Sequence, residues 1–480
     1  MSLAGETARS AGPALDAPGA RPKDRRKLIF AIVSIGLFMA SVDQTIVATA
    51  LPAIEKELHA TINWSGWTIS VYALGQVIAM PMAGKISDMY GRKKVFMISA
   101  AVFTLSSLCC GFAPNIAVLL LARFIQALGG GAFMPSATGI VSDHFGEQRD
   151  RAVGMFTSIF PIGGIVGPVL GGLFVNYWTW RGIFLVNVPA GILLLVLGAV
   201  FIPAGVRRAD QTLDIRGVLL LGATLLSAML GIAYLGSAQS GAGIAATRTS
   251  PASPEFLVPE LVAAVALVAF VRHSARAAAP FIPLRFLAGK GFGVMNLLNF
   301  LFGSAALGFA ALVPLYAHDR YGLRSLEAGT LLTARAVGMI AIAGLAVFLL
   351  RRTGYRWPMA AGFSLTAAGL IGMAIAPPVL SAYTWLALAA AVCGIGMGVC
   401  TPAANNATLQ LAPDQAAAVA GLRGMFRQSG AITAVSVTAA VVARSAHPGL
   451  AQAHVFEVFA AILILALPLI LAVPEHRGSW

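Results

Sequence analysis

Asp43 stands in the middle of an apolar run that begins at Leu28 and reaches Pro52. At about 1.5 Å of helical rise per residue it lies about 22 Å from the start of that run. A charge at that depth in a lipid-crossing helix costs roughly 2.5–3.5 kcal/mol even on insertion scales. A chain that keeps one shields it from lipid and uses it, and the chemistry open to it is reversible binding of a proton or cation. The plainer reading is a carboxylate that only hydrogen-bonds a neighbouring helix. Arg123 is a second charge inside an apolar run, 116–140. It sits about 11 Å below the outer end of its helix, at a depth similar to that of Asp43. Two opposite charges at one level suggest an ion pair or a water-bridged couple, and Gln126, three residues on, faces a similar direction. A simple buried bridge has the same signature.

Three further constellations stand out. The segment Gly84-Lys85-Ile86-Ser87-Asp88-Met89-Tyr90-Gly91-Arg92-Lys93-Lys94 joins two apolar runs. Its glycines permit a tight reversal, and Asp88 can meet helix N-terminal amides or a basic partner while Arg92 braces the turn. Such a segment reads as a gate latch, or as an ordinary basic hairpin. The run 152–175 holds Gly163, Gly164, Gly167, Pro168, Gly171 and Gly172. Glycines repeating every four residues leave one helix face bare for close approach by another helix, and Pro168 removes a backbone hydrogen bond. Finally, Arg335, Arg423 and Arg427 lie within apolar runs that hold few acids. They suit either an anionic or acceptor-rich cargo, or bonds to carbonyls of broken helices and snorkelling toward an interface. Gln76, Asn299, Trp64, Trp67, Tyr72, Phe133, Asn296, Phe300, Asn405 and Asn406 are candidate cavity-lining residues of mixed character. Trp178 and Trp180 read as an interfacial belt.

The elements that must carry these groups are transmembrane helices. Of the 480 residues 58% are hydrophobic and 11% charged, against about 25% charged in soluble domains. Fourteen apolar blocks follow one another, at about 28–50, 64–84, 94–113, 116–140, 152–175, 182–203, 216–236, 256–272, 292–316, 327–350, 357–376, 381–402, 416–442 and 454–473. Each is long enough to cross about 30 Å of hydrocarbon. An even number puts both termini on one side. With that side inside, 23 Lys and Arg fall in inner segments and six in outer loops, which fixes both termini as cytoplasmic. The same bias explains the net charge of +14 without nucleic acid. The four cysteines fall in apolar runs and form no CxxC pair, so no metal site is expected. No clustered nucleophile, His/Asp set or metal ligands point to a membrane-embedded enzyme.

The blocks divide as a basic tail (1–27), a six-helix half (28–203), two extra linker spans (204–276), a second six-helix half (277–473) and a short tail (474–480). The first twenty residues, rich in Ala, Gly and Pro, read as disordered. Gly91-Arg92-Lys93-Lys94 and Arg351-Arg352-Thr353-Gly354-Tyr355-Arg356 occupy matching places in the two halves, a faint internal repeat. Two repeated halves around a midplane cavity is a transporter architecture.

These motifs together resemble the major facilitator superfamily, and within it the fourteen-span drug:proton antiporters. Asp43, Thr45, Ile46, Val47, Ala50, Leu51 and Pro52 are similar to its first-span motif. Gly84, Asp88, Gly91, Arg92 and Lys93 are similar to its loop motif. Arg123, Gln126, Gly129 and Pro135 are similar to its fourth-span motif, and Gly163, Gly167, Pro168, Gly171 and Gly172 to its antiporter motif. Trp180, Arg181, Phe184, Asn187, Pro189 and Gly191 resemble its sixth-span start, and Arg427, Gln428 and Gly430 a motif near span 13. Met89 and Ala127 depart from the pattern, where a basic residue and a glycine are usual. The resemblance implies an all-α polytopic fold with two six-helix halves plus two extra central helices. It implies proton coupling at Asp43, Arg123 and Gln126, state switching at Gly84, Asp88, Gly91 and Arg92, and export by the glycine-rich span. The expected activity is proton-coupled efflux of drug-like or natural-product molecules by a monomer in the cell membrane, with protons and no cofactor. A uniporter or proton symporter importing a metabolite is the alternative.

Overall fold

The computed structural model describes residues 22–60, 62–203, 214–236, 252–289, 291–377, 379–442 and 444–475. The first half contains α1 (Pro22–Glu57), α2 (Ile62–Tyr90), α3 (Arg92–Gly111) and α4 (Ile116–Phe145), then α5 (Arg149–Thr157), α6 (Ile159–Tyr177), α7 (Gly182–Leu185) and α8 (Asn187–Phe201). The linker pair is α9 (Ile215–Gly236) and α10 (Pro254–Arg276), followed by the short α11 (Leu284–Ala288). The second half contains α12 (Phe292–Phe302), α13 (Phe309–Tyr321), α14 (Ser325–Thr353), α15 (Arg356–Ala374), α16 (Ala382–Gln410), α17 (Ala416–Val442) and α18 (Pro448–Leu465). Among the described residues, 13 helical segments are long and apolar enough to cross a membrane. The remaining apolar block is carried by α12 and α13, joined through a π-helical turn at Gly303–Gly308.

Among the described residues several spans are interrupted, two of them at a proline that disturbs the backbone ladder. Pro161 has no N–H to offer the Thr157 carbonyl, and the fifth span divides there into α5 and α6 around Ser158. The Ser158 hydroxyl donates to the Gly154 carbonyl at 3.0 Å. Pro189 withholds a donor from Leu185 in the same way, and the sixth span divides into α7 and α8. At the π-turn, Ser304 Oγ contacts both the Phe300 and Gly430 carbonyls at 3.0 Å.

Each half has its own core. In the first, Phe96, Phe103 and Phe133 pack together with ring centroids 5.6 and 5.5 Å apart. In the second, Phe302 stacks on Phe363 at 5.4 Å and Tyr316 meets Phe456 at 4.9 Å. α9 and α10 pack on each other, and α9 leans on α2 and α17. α10 leaves Leu257, Val258, Leu261 and Val265 exposed, a hydrocarbon face suited to lipid. The internal repeat has a backbone counterpart. Gly91 (φ 101°) and Gly354 (φ 70°) each turn the chain after the second span of their half, a region that side chains other than glycine rarely enter.

The first helix starts at Pro22, before the apolar run, so Arg25, Arg26 and Lys27 are helical. The expectation of a disordered start falls on residues outside the described ones. So do most of the outer loop at 237–255 and the last five residues.

Candidate functional site

The first, third, fourth and sixth spans bring one polar cluster together inside the first half. Asp43 on α1 and Arg123 on α4 form an ion pair, Arg123 Nη1 donating to Asp43 Oδ2 at 2.6 Å, with both side chains at most 1% exposed. Gln126 Nε2 donates to Asp43 Oδ1 at 2.9 Å, and Asn187 Nδ2 at the start of α8 donates to the same oxygen at 3.1 Å. Gln126 is fixed in turn: its Oε1 accepts from Arg123 at 2.6 Å, and its Nε2 also lies 2.6 Å from Ser107 Oγ on α3. The Arg123 guanidinium lies 4.1 Å from the centroid of the Tyr72 ring and 5.4 Å from that of Phe184. The carboxylate thus accepts three donors from two other helices, and its charge is met by one guanidinium sealed between aromatic faces. A buried charge demands such pairing. The negative charge of Asp43 is what holds Arg123 in this cluster.

The glycine face of α6 lies against the helix that carries Asp43. A Cβ on Gly163 would come within 2.6 Å of Ser41 Cβ, and one on Gly167 or Gly171 would collide with Thr45 Oγ1 or Thr49 Oγ1. Ser41, Thr45 and Thr49 repeat every four residues, so a polar stripe of α1 fits a bare stripe of α6. Thr45 Oγ1 also donates to the Gly163 carbonyl at 3.3 Å. Gly164 and Gly172 face open space, with nothing within 4 Å of a Cβ. Pro168 is half-buried within α6.

The hairpin between α2 and α3 reaches across to the second half. Arg92 Nε donates to Asp88 Oδ1 at 3.1 Å, and Arg92 also pairs with Asp143 and donates to the Gly139 carbonyl at 2.6 Å. Asp88 Oδ2 accepts from the backbone N–H of Ala418, in the first turn of α17, at 2.9 Å. The N-terminal end of a helix is where a carboxylate is favoured. Gly84 lies so close to the Ala417 carbonyl that any side chain would collide with it. A second tie stands at the same end of the bundle. Asp150 Oδ2 accepts from Tyr355 Oη at 2.8 Å and Gln410 Nε2 at 3.3 Å, and Asn406 Nδ2 donates to the Asp150 carbonyl at 3.0 Å. Burial, then the Asp150 carboxylate, push the Tyr355 phenol well above its ordinary range. At this end, the one bearing the basic hairpins, the two halves are in contact.

The second half holds its arginines differently. Arg335 Nη1 donates to the Ala306 carbonyl in the π-turn at 3.1 Å. Arg423 is 3% exposed, and its guanidinium meets Met134 Sδ of the first half at 3.9 Å. Arg427 lies 5.9 Å from the centroid of the Phe302 ring, and its Nε has no hydrogen-bond partner among the described residues.

Several candidate cavity residues are placed in the helix packing instead. Asn299 Nδ2 donates to the Met295 carbonyl of its own helix, and Asn296 Nδ2 to the Phe286 and Leu287 carbonyls. Phe133 is core, Tyr72 lies under Arg123, and Gln76 accepts from Gln44 at 3.3 Å. Trp178 is 81% exposed, as an interfacial residue would be, but Trp180 is buried. Its indole N–H donates to Glu57 Oε2 at 2.7 Å and Arg181 covers its ring, so it closes a helix junction. Spacing did not reveal Ser107, Asp143 or Asp150. Asn187 was legible only as part of a motif, not as a ligand of Asp43.

Comparison with known proteins agrees with this architecture. A sequence model of the Major Facilitator Superfamily matches residues 33–435. An MFS-type transporter of Mycobacterium tuberculosis (strain ATCC 25618 / H37Rv) is 31% identical over 381 residues, 78% of this chain and 53% of that protein. The chain therefore spans about half the length of that relative. The multidrug transporter protein MdtP of Bacillus subtilis (strain 168) is 26% identical, covering 88% of this chain and 76% of that protein. The riboflavin transporter RibZ of Clostridioides difficile (strain 630) is 27% identical, covering 81% and 82%. Among solved structures, that of the human organic anion transporter MFSD10 (TETRAN) superposes with a TM-score of 0.68 at 16% identity. It covers 93% of this chain and 99% of that one, and it shares the fold. A multi-pass helical membrane protein with this fold and this sequence match belongs to the Major Facilitator Superfamily.

Proposed function

We propose that this chain is a proton-coupled exporter of drug-like or natural-product small molecules, working by alternating access as a monomer in the cell membrane. Both termini face the cytoplasm in this reading, so the end closed by Asp88 and Asp150 is the cytoplasmic gate. The observation that carries it is the buried Asp43 carboxylate, held by Arg123, Gln126 and Asn187. An ionisable group so deep in a span and so fully ligated suits a proton carrier better than a packing element.

The helices provide a path from the proton to the gate. Protonation of Asp43 frees α1 from Arg123. α1 lies in the glycine face of α6, and α6 continues through Ser158 into α5, which carries Asp150. A displacement at Asp43 is thereby passed to the Asp150–Tyr355–Gln410 tie, each step through elements in direct contact. Inward proton flow would drive cargo out, with protons as the coupling ion and no other cofactor. The name of the multidrug transporter protein MdtP supports a drug-like cargo. The relative named as a riboflavin transporter supports the second reading, movement of a metabolite.

The test is efflux from proteoliposomes under an imposed pH gradient. Wild type exchanges cargo for protons, and Asp43→Asn, still inserted in the membrane, does not. Undiminished proton-coupled exchange by Asp43→Asn removes the mechanism.

A further inference from the structure

We infer that the cargo is an organic anion, bound through its carboxylate or an equivalent acidic group by Arg423 and Arg427 with Arg335 behind them; this rests on the exporter reading above. The argument starts from charge balance. In the first half Arg92, Arg123, Arg149 and Arg181 all reach carboxylates. Arg335, Arg423 and Arg427 reach a carbonyl, a thioether and an aromatic face, with no carboxylate in ion-pair range among the described residues. Guanidinium groups stay charged at any physiological pH, and a buried charge without a counter-charge is among the least tolerated features of a fold.

Position turns this into a site. Arg423 is buried at the junction of the halves, its guanidinium against Met134 of α4, and one turn along α17 Arg427 faces the π-turn helix. Arg427 Nε is buried and has no hydrogen-bond partner among the described residues. A π-turn within a span often marks a functional site, and here it supplies the Ala306 carbonyl that steadies Arg335. When the halves part at the cytoplasmic end, α17 moves away from α4 and Arg423 faces the opening. The guanidinium fork matches a planar carboxylate with two parallel hydrogen bonds. A cationic cargo would meet three like charges there.

The exchange has a countable consequence. One monoanion leaving and one proton arriving together move two charges, so an inside-negative potential speeds efflux. A monocation leaving against one proton would move none.

The test uses the full-length protein in proteoliposomes loaded with salicylate, benzenesulfonate, fluorescein or ethidium, under an outside-acid pH gradient. The expected result is efflux of at least one of the three anions, accelerated by a valinomycin-set inside-negative potential. Arg423→Gln and Arg427→Gln lower that efflux about tenfold or more, the loss typical of a buried charged hydrogen bond, while Arg423→Lys restores part of it. Ethidium moving in an Asp43-dependent way with none of the anions moved overturns the anion inference and leaves the exporter reading intact. Anion efflux at the wild-type rate in both glutamine variants also overturns it. No gradient-driven movement of any of the four probes overturns the inference together with the exporter reading.

Discussion

Replacing Asp43 by Asn keeps the shape of the side chain and removes its charge, which makes the stability of the Asp43–Arg123 pair measurable. The variant leaves Arg123 1% exposed with neutral acceptors only: Gln126 Oε1 at 2.6 Å and the Thr68 carbonyl at 3.4 Å. Breaking a buried pair by removing one partner costs about 3–5 kcal/mol, mostly from the stranded charge. Arg123→Met should cost a similar amount, since it strands Asp43 with two amide donors. The double variant strands neither, so its cost should fall well below the sum of the two, by about 3 kcal/mol, or roughly 150-fold in the unfolding equilibrium. The assay is denaturant unfolding in one detergent, followed by tryptophan fluorescence, for wild type, both single variants and the double. Additive costs would refute the reasoning, because they would mean that the two charges do not sense each other.

Three other outcomes follow from the geometry. Gly167→Ala and Gly171→Ala should each cost about 1–3 kcal/mol by overpacking α6 against α1 and slow transport, because their Cβ atoms meet Thr45 and Thr49. Gly164→Ala and Gly172→Ala, with open space around them, should be near neutral in thermal stability and turnover, and equal effects at all four positions would discredit the glycine-face contact. Asp88→Ala removes a charge-assisted bond to the Ala418 amide of about 1.5–3 kcal/mol; spin labels on α2 and α17 should then show the basic end opening, and an unchanged distance distribution would contradict a latch. At the foot of the linker pair, burial alone would raise the Asp214 pKa, but hydrogen bonds from Gly217, His273 and Phe281 outweigh it and hold the group below its usual 3.8. Its stabilising contribution is therefore present above about that value and is lost as the pH falls through the lower folded-state pKa. Asp214→Ala should remove that acid-side loss along with a helix cap worth about 1 kcal/mol, and an identical acid-unfolding profile would contradict it.

The spans were legible because hydrocarbon leaves a chain few options: an apolar block of about 20 residues must be a helix. Depth along a helix is also legible, which is why Asp43 and Arg123 could be set at one level before any contact was known. Contacts between distant segments were not. Asn187 is 144 residues from Asp43 and looks like any polar residue at a helix start. Asp150 sits beside Arg149 and reads as a solvated loop acid, until α16 and α15 bring Gln410 and Tyr355 to it. Trp180 read with Trp178 as an interfacial belt, but Glu57 from the end of α1 takes its N–H and draws it inward. The break at Ser158 had a signal in Pro161, which the glycine pattern just beyond it overshadowed.

The most direct test of the central proposal is proton counting on the purified transporter. In weakly buffered detergent solution, cargo is added to wild type and to Asp43→Asn, and the proton exchange is read with a pH-sensitive dye. A carrier working through Asp43 releases about one proton per molecule on binding cargo, at a pH where that carboxyl is loaded, and the variant releases none. Equal proton release from both proteins, or none from wild type at any pH from 5 to 9 with cargo bound, would contradict it.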